Sequence, residues 1–291
     1  MRLNLKLVEP IVKGALREDI GRGDITTLSL IKKDALAKGK IVAKEEGLLA
    51  GLRVAKLAFT LLDEKIKFEF ILRDGEKIKA NQILAEIEGQ ARAVLSAERT
   101  ALNFLQRLSG IATKTAKLVK ETSPYPVKIL DTRKTTPGMR YLEKYAVRVG
   151  GGENHRFGLF DGILIKDNHI KIAGGIKSAV NLIRKKRPSM KINGYGGLLR
   201  GKKIEVEVEN LREVKEALEA KADIIMLDNM RLREIKRAVE IIGGKALIEV
   251  SGKVNQQNIK KIAKYGVNFI SLGILTHSVE SLDISLEVRG K

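Results

Sequence analysis

IEVEVENLREVKEALEAKADIIMLDNM, residues 204–230, decides the fold. It opens on a short strand, IEVEV (204–208), runs through an amphipathic helix, LREVKEALEA (211–220), and closes on a second apolar strand, IIML (224–227). The unit recurs on both sides. Strands VKIL (127–130), GILI (162–165), ALIEV (246–250) and FISL (269–272) alternate with helices such as RLREIKRAVEII (231–242) and NQQNIKKIAKYG (255–266). Short apolar strands alternating with amphipathic helices predict a parallel sheet covered by helices. About six strands are visible after residue 125, fewer than the eight of a closed barrel, so an open, incomplete α/β barrel is expected. A doubly wound sheet is the alternative.

Each strand finishes on or just before polar or glycine residues. These are Thr132-Arg133-Lys134, Lys166-Asp167-Asn168-His169, Glu207, Asp228-Asn229, Ser251-Gly252 and Gly273. In either fold the ligand sits at the carboxyl ends of the strands. The set divides by charge. Arg133, Lys134, His155, Arg156, Lys166 and His169 form a cationic half, suited to carboxylates and phosphates. Glu207 and Asp228 form an acidic half, suited to Mg²⁺ carried in on phosphate oxygens. Ser251-Gly252 and Gly273 offer backbone N–H groups to a phosphate near helix starts. Singly, each has a structural explanation: a buried Glu207 paired with lysine, Asp228 as a helix cap, Gly150-Gly151-Gly152 as a plain turn rather than a phosphate nest. Together they point to a phosphorylated sugar and a second anionic partner.

The first 110 or so residues read as mixed α and β. Pro10–Ile20 is expected to be a short helix with proline in its first turn, GRGDITT (21–27) a polar loop, VAKLAFTLLD (54–63) a helix, IKFEFIL (66–72) a strand and Val94–Glu121 a long helix. NGYGGLLRG (193–201) superficially matches a dinucleotide fingerprint, but no strand precedes it and no good helix follows, so an exposed loop is expected.

The 291 residues carry 55 Lys+Arg against 35 Asp+Glu, a net charge of +20. Aromatic residues are only 4%, which leaves no stacking platform for single-stranded nucleic acid. A nucleic-acid binder would also leave the acidic pair unexplained, and lysine spread along the whole chain equally matches a protein from a hot environment. With no cysteine there is no disulfide, thiolate metal site or cysteine nucleophile. No apolar run is long enough for a membrane helix, and MRLNLKLVEP lacks a signal-peptide pattern. A cytoplasmic protein is expected.

ILDTRKTTPGMRYLEKYAVRVGGGENHRFGLFDGILIKDNHI (129–170) resembles the core signature of the nicotinate-nucleotide pyrophosphorylase (carboxylating), or quinolinate phosphoribosyltransferase, family. The resemblance extends through EDIGRGDITT (18–27), ERTALNFLQRLSGIAT (98–113), IEVEVENL (204–211), IIMLDNM (224–230), IEVSGKVN (248–255) and SLGILTHS (271–278). PSMKINGYGGLLRGKK (188–203) is longer than the pattern, as a lid or a lineage-specific loop would be.

The resemblance implies an α/β sandwich over residues 1–112, joined by 277–291, and an open barrel over 113–276. It implies a reaction of quinolinate with phosphoribosyl pyrophosphate and Mg²⁺, giving nicotinate mononucleotide, pyrophosphate and CO₂. A related phosphoribosyltransferase acting on nicotinate or another acceptor is the alternative. It places Arg99, Arg133, His155, Arg156 and Lys166 around the quinolinate carboxylates, with Thr132 and Lys134 beside them. Glu207 and Asp228 fall near the ribose and Mg²⁺, reached through substrate and water, and Lys134 joins them as a catalytic group. Lys134, Asp167, Asn168, Ser251, Gly252, Lys253, Leu272, Gly273, Ile274 and His277 fall on the phosphoribosyl pyrophosphate. It also implies a homodimer in which Arg99 enters the neighbouring subunit's site, or a larger assembly such as a hexamer.

Overall fold

A computed structural model describes residues 3–186 and 203–290. The expected loops at 193–201 and, apart from Lys203, at 188–203 lie outside them. In chain order the elements begin α1 (Leu5–Ile20), α2 (Ile25–Leu30), β1 (Leu36–Ala43), β2 (Gly47–Leu48), α3 (Leu52–Leu62), β3 (Lys67–Phe70), β4 (Lys77–Ile78) and β5 (Ile83–Gln90). They continue α4 (Ala91–Thr122), β6 (Lys128–Leu130), α5 (Arg140–Val149), β7 (Ile163–Ile165), α6 (Asp167–Ile172), α7 (Ile176–Lys186) and β8 (Ile204–Val208). The last are α8 (Leu211–Glu219), β9 (Ile224–Asp228), α9 (Leu232–Ile242), β10 (Leu247–Ser251), α10 (Ile259–Lys264), β11 (Phe269–Ser271), α11 (Ile274–His277) and β12 (Ile284–Gly290).

The chain forms two units, Met1–Ala116 with Thr136–Gly151 and Ser278–Lys291, and Lys117–Thr135 with Gly152–His277. The first is built on an antiparallel sheet, β12-β1-β5-β3. Strand β1 alternates in burial, presenting Ala37 and Ile41 to the core and lysines to solvent. On the wet face Lys38 meets Glu88 and Lys40 meets Glu86, each pair directly opposite in register, at 3.3 and 3.4 Å. The buried residues of this unit include Ala85 and Ile87 of β5, Val54 and Ala58 of α3 and Leu102, Leu105 and Leu108 of α4, and Phe59 of α3 meets Phe68 of β3 with ring centroids 6.0 Å apart.

Two expectations about the first residues are corrected. Helix α1 starts a turn and a half before Pro10, because the Asn4 side chain accepts from Lys6 N–H and caps it there. Its buried stripe, Val8, Val12 and Leu16, holds the helix through the proline. The segment expected as a loop contains α2, capped by Asp24, whose carboxylate accepts from Thr27 N–H at 3.0 Å.

The second unit is a six-stranded parallel sheet in the order β6-β11-β10-β9-β8-β7. Strands β7 to β11 lie side by side in sequence order, and the first strand, β6, lies beside the last, β11. A doubly wound sheet reverses direction at a switch point. Among the described residues this one instead winds steadily round and stops short of joining β6 to β7, which is an open barrel.

One stretch of the expected barrel domain folds elsewhere. After Thr135 the chain builds residues 136–151 within the first unit and returns at Gly152. Helix α5 in that stretch is buried from Tyr141 through Val147. Its contacts explain the placement: Asn4 N–H donates to the Tyr141 hydroxyl at 2.9 Å, Tyr145 donates to Asp74 at 2.6 Å, and Arg107 pairs with the buried Glu143 at 2.6 Å. Gly150 ends α5 where a Cβ would stand 2.5 Å from the Ala112 carbonyl oxygen, so the glycine run closes a helix. Strand β12 pairs antiparallel with β1, Ile284 opposite Ala43, returning the end of the described chain to the first sheet.

Candidate active site

The strand ends of the second unit surround a cavity of about 640 Å³, within the usual range for a small-molecule site. Strand β6 delivers Thr132, Arg133 and Lys134; β7 delivers Lys166; β8, Glu207; β9, Asp228; β10, Ser251, Gly252 and Lys253; β11, Leu272, Gly273, Ile274 and His277.

His155 and Arg156 arrive by a different route. Glu153 bridges alongside Leu130, exchanging bonds with Ile129 and Asp131. The buried Asp131 then accepts from His155 N–H at 2.9 Å and from the Asn154 side chain at 2.6 Å. The aspartate in the middle of LDTRK is thus a clamp on the segment carrying His155 and Arg156.

Arg156 is buried, and one guanidinium nitrogen donates to the Gly162 carbonyl at 3.1 Å. Burial, and then the charge of Arg133, push its pKa down, while Glu205, Glu207 and Asp161 oppose this. Two guanidinium groups destabilising each other in a shared pocket favour an anion between them. Lys166 donates to Glu207 at 2.5 Å. Asp228 is raised above the ordinary carboxylate range, first by burial and then by Glu207. Its neighbour Asn229, at φ 54°, donates to it at 2.7 Å.

The side of the cavity formed by the ends of β10 and β11 is backbone-rich. Gly252 (φ 70°) and Lys253 (φ 48°) are consecutive left-handed residues, and a Cβ on Gly252 would lie 2.2 Å from Asn229 Oδ1. A Cβ on Gly273 would meet His277 and the Lys134 stem at 2.9 and 3.0 Å. Thr276 Oγ1 donates to the Lys134 carbonyl at 2.7 Å, tying the β6 loop to α11.

Four expected site residues are not among those lining this cavity. Asp167 opens α6, held below its ordinary pKa by Asn168 N–H and then by Lys171, 3.3 Å away; Asn168 is exposed on the same turn. Their part is to start a helix rather than line the cavity. His169 caps that helix, accepting from Lys166 N–H at 3.0 Å. Arg99 is exposed on α4, in the first unit.

Sequence reasoning missed Glu205 and Glu249, both fully buried, and the wall residues Leu164, Met226, Val254 and Ser271. Burial, as the largest cause, pushes Glu205 up to about 7 and Glu249 up to about 8. A glutamate inside an otherwise apolar strand was the available signal, because such a group is almost never fully buried without a partner.

An open barrel whose strand ends carry cations, a carboxylate pair and glycine turns defines an enzyme that brings small polyanions together. The comparisons make this specific. Residues 24–109 match the family described as Quinolinate phosphoribosyl transferase, N-terminal domain, and residues 111–287 match its C-terminal domain. The probable nicotinate-nucleotide pyrophosphorylase [carboxylating] of Methanocaldococcus jannaschii is 46% identical over 287 residues, 96% of each chain. That of Bacillus subtilis is 45% identical over 271 residues, 93% of this chain and 90% of its own. The solved nicotinate-nucleotide pyrophosphorylase of Francisella tularensis superposes with a TM-score of 0.90 at 44% identity, covering 99% of this chain and 98% of that one. The chain belongs to the quinolinate phosphoribosyltransferase family. Among the described residues no helix is long and apolar enough to cross a membrane.

Proposed function

We propose that this cavity transfers the phosphoribosyl group of phosphoribosyl pyrophosphate to the ring nitrogen of quinolinate and releases CO₂, pyrophosphate and nicotinate mononucleotide, a step in NAD biosynthesis. The observation that carries the reading is one cavity holding Arg133, Arg156 and Lys166 together with Glu207 and Asp228. The cations take the two carboxylates. Lys134, Ser251, Gly252, Gly273 and His277 take the sugar's phosphates.

The pyridine nitrogen has a lone pair and no proton to lose, so its attack on the sugar C1 needs no general base. As the bond to pyrophosphate breaks, positive charge grows on the sugar, and Glu207 and Asp228 stabilise it. The main work is holding two mutually repelling anions in reacting position. Once the nitrogen is quaternised, the carbon–carboxylate bond at the adjacent position breaks. Its electron pair stays on the ring carbon beside the positive nitrogen, and a solvent proton replaces CO₂.

We assign Mg²⁺ to Glu207 and Asp228, through substrate oxygens and water. The residues fit: they offer oxygen ligands, and the raised pKa of Asp228 marks a carboxylate whose charge is not fully balanced. When bound, the ion neutralises the departing pyrophosphate. We further propose a homodimer in which Arg99 of the partner subunit reaches this site; its support is that Arg99 is exposed and that no α4 residue lines the cavity.

The test is product analysis with phosphoribosyl pyrophosphate, Mg²⁺ and either quinolinate or nicotinate. Quinolinate should yield nicotinate mononucleotide and one CO₂ per turnover, and nicotinate should be a very poor substrate, because it leaves buried cations unpaired. Comparable kcat/KM for the two acids would move the chain to the nicotinate-using class.

A further inference from the structure

Below the floor of the cavity, three buried side chains from three segments converge. His155 Nε2 lies 3.4 Å from Glu205 Oε2 and 3.5 Å from Glu249 Oε1. Glu205 sits two residues before Glu207 on β8, so both point to the same side of the strand. Glu249 lies on β10, with Met226 between it and Glu207 across the sheet. Glu205 and Glu249 are fully shielded from solvent; among the described residues their carboxyl oxygens meet no donor in ordinary hydrogen-bonding geometry, though the Ser271 hydroxyl lies beside Glu249. One nitrogen and two carboxylate oxygens all within 4.8 Å of one another would span a metal ion. The other edge of the imidazole decides against it. Nδ1 of His155 accepts the backbone N–H of Arg156 at 2.8 Å. That nitrogen carries no hydrogen, whereas a neutral imidazole bound to metal through Nε2 must carry one there. The ring's single proton is therefore on Nε2, facing the two glutamates.

We propose that Glu205 and Glu249 are positioning residues that hold His155 neutral with its proton on Nε2, so that the acid-binding half of the cavity reads the substrate's carboxylates through Arg133, Arg156 and Lys166, and His155 serves as a fixed wall. This rests on the quinolinate reading for the identity of the acid, though the state of the imidazole does not. It departs from the expectation that His155 is one of the cations. By charge alone Glu205 and Glu249 would favour a second proton on the ring; the bond at Nδ1 and the neighbouring cations oppose it. Protonating Nδ1 would set an N–H against the Arg156 N–H and add a cation beside Arg156, Arg133 and Lys166. On the other side, Asp131 is occupied with the His155 and Asn154 N–H groups.

The chain has three histidines, so ¹⁵N-histidine labelling resolves His155 directly. In the full-length enzyme its ring should show one tautomer, hydrogen on Nε2, unchanged from about pH 5.5 to 8.5 and unchanged when quinolinate binds. Glu249→Gln should release it into a mixture of tautomers or a titrating ring. The same variant should raise the quinolinate KM about tenfold, the size of one lost buried polar contact, with kcat and the phosphoribosyl pyrophosphate KM moved less than twofold. If Glu249→Gln does not fold, Glu205→Gln is read the same way, and the wild-type spectrum alone remains decisive. A wild-type His155 that titrates near its ordinary pKa, or gains charge on binding quinolinate, overturns the proposal even in an active enzyme. A locked tautomer in a protein that does not turn over quinolinate would instead sink the assignment of the acid.

Discussion

Lys166 donates to Glu207 across the ends of two neighbouring strands, β7 and β8, at 2.5 Å. In the proposed reaction one belongs to the half of the cavity that takes the acid and the other to the half that takes the sugar. With the substrates away, the two halves neutralise each other. Lys166→Met should leave a largely buried carboxylate without its cation, costing on the order of 1–2 kcal/mol of stability, since Lys166 itself is partly exposed. It should raise the quinolinate KM more than Arg133→Lys does. Glu207→Gln should keep quinolinate affinity and lower kcat about a hundredfold, as loss of a charge that acts mainly on the transition state. Steady-state kinetics with a double variant checks the coupling: independent, additive effects would show that the pair is incidental.

Gly252→Ala tests the turn after β10. The backbone there is left-handed, and the new methyl would press on Asn229, which donates to Asp228. The expected cost is about 1–2 kcal/mol from the backbone alone. The KM for phosphoribosyl pyrophosphate should rise about tenfold, with quinolinate affinity little changed. Thermal unfolding and initial-rate kinetics would show it, and a variant as stable and as active as the parent would remove the turn from the site.

Stability should fall with pH through Glu249. Its folded pKa of about 8 stands above the ordinary carboxylate value. The folded state therefore keeps a proton that the unfolded chain releases above about pH 4.5. The contribution favours folding at low pH and is lost as pH rises from about 4.5 through about 8. Glu249→Gln should gain on the wild type across that window. Denaturant unfolding at several pH values measures this, and parallel curves for the two proteins would count against it.

Subunit mixing tests the shared site. An inactive Arg99→Ala chain and an inactive Lys134→Ala chain, allowed to exchange, should regain part of the activity, because a mixed dimer holds one site with neither defect. No recovery in any mixture, with exchange verified by mass, would mean that each chain builds its site alone.

Much of this arrangement was legible in the residues. Each barrel strand from VKIL to FISL falls where the alternating pattern puts it, and the polar residue after each strand faces the cavity because strand ends share one rim. Three things were not legible. The apolar face of α5 says that the helix is buried, but not which sheet buries it; that is settled by Asn4, Asp74 and Arg107, remote in sequence. Asp167 and Asn168 follow a strand as the true lining residues do, yet a helix begins at once and turns them outward. Glu205 and Glu249, inside otherwise apolar strands, hint at burial, but only the pairing of β8, β9 and β10 brings them under His155.

Strand β12 has a bearing on how the molecule is made. Strand β1, residues 36–43, needs β12, residues 284–290, as its neighbour. During synthesis β1 and β5 can pair early, but the other edge of β1 stays open while the entire barrel is translated. An open edge is a template for another chain. The barrel, finished by His277, is complete before the sheet that precedes it. A ribosome stalled between the two would release a folded barrel tethered to an aggregation-prone half-sheet, and the lysines spaced along β1 are the kind of residue that discourages strangers from docking there in the interval.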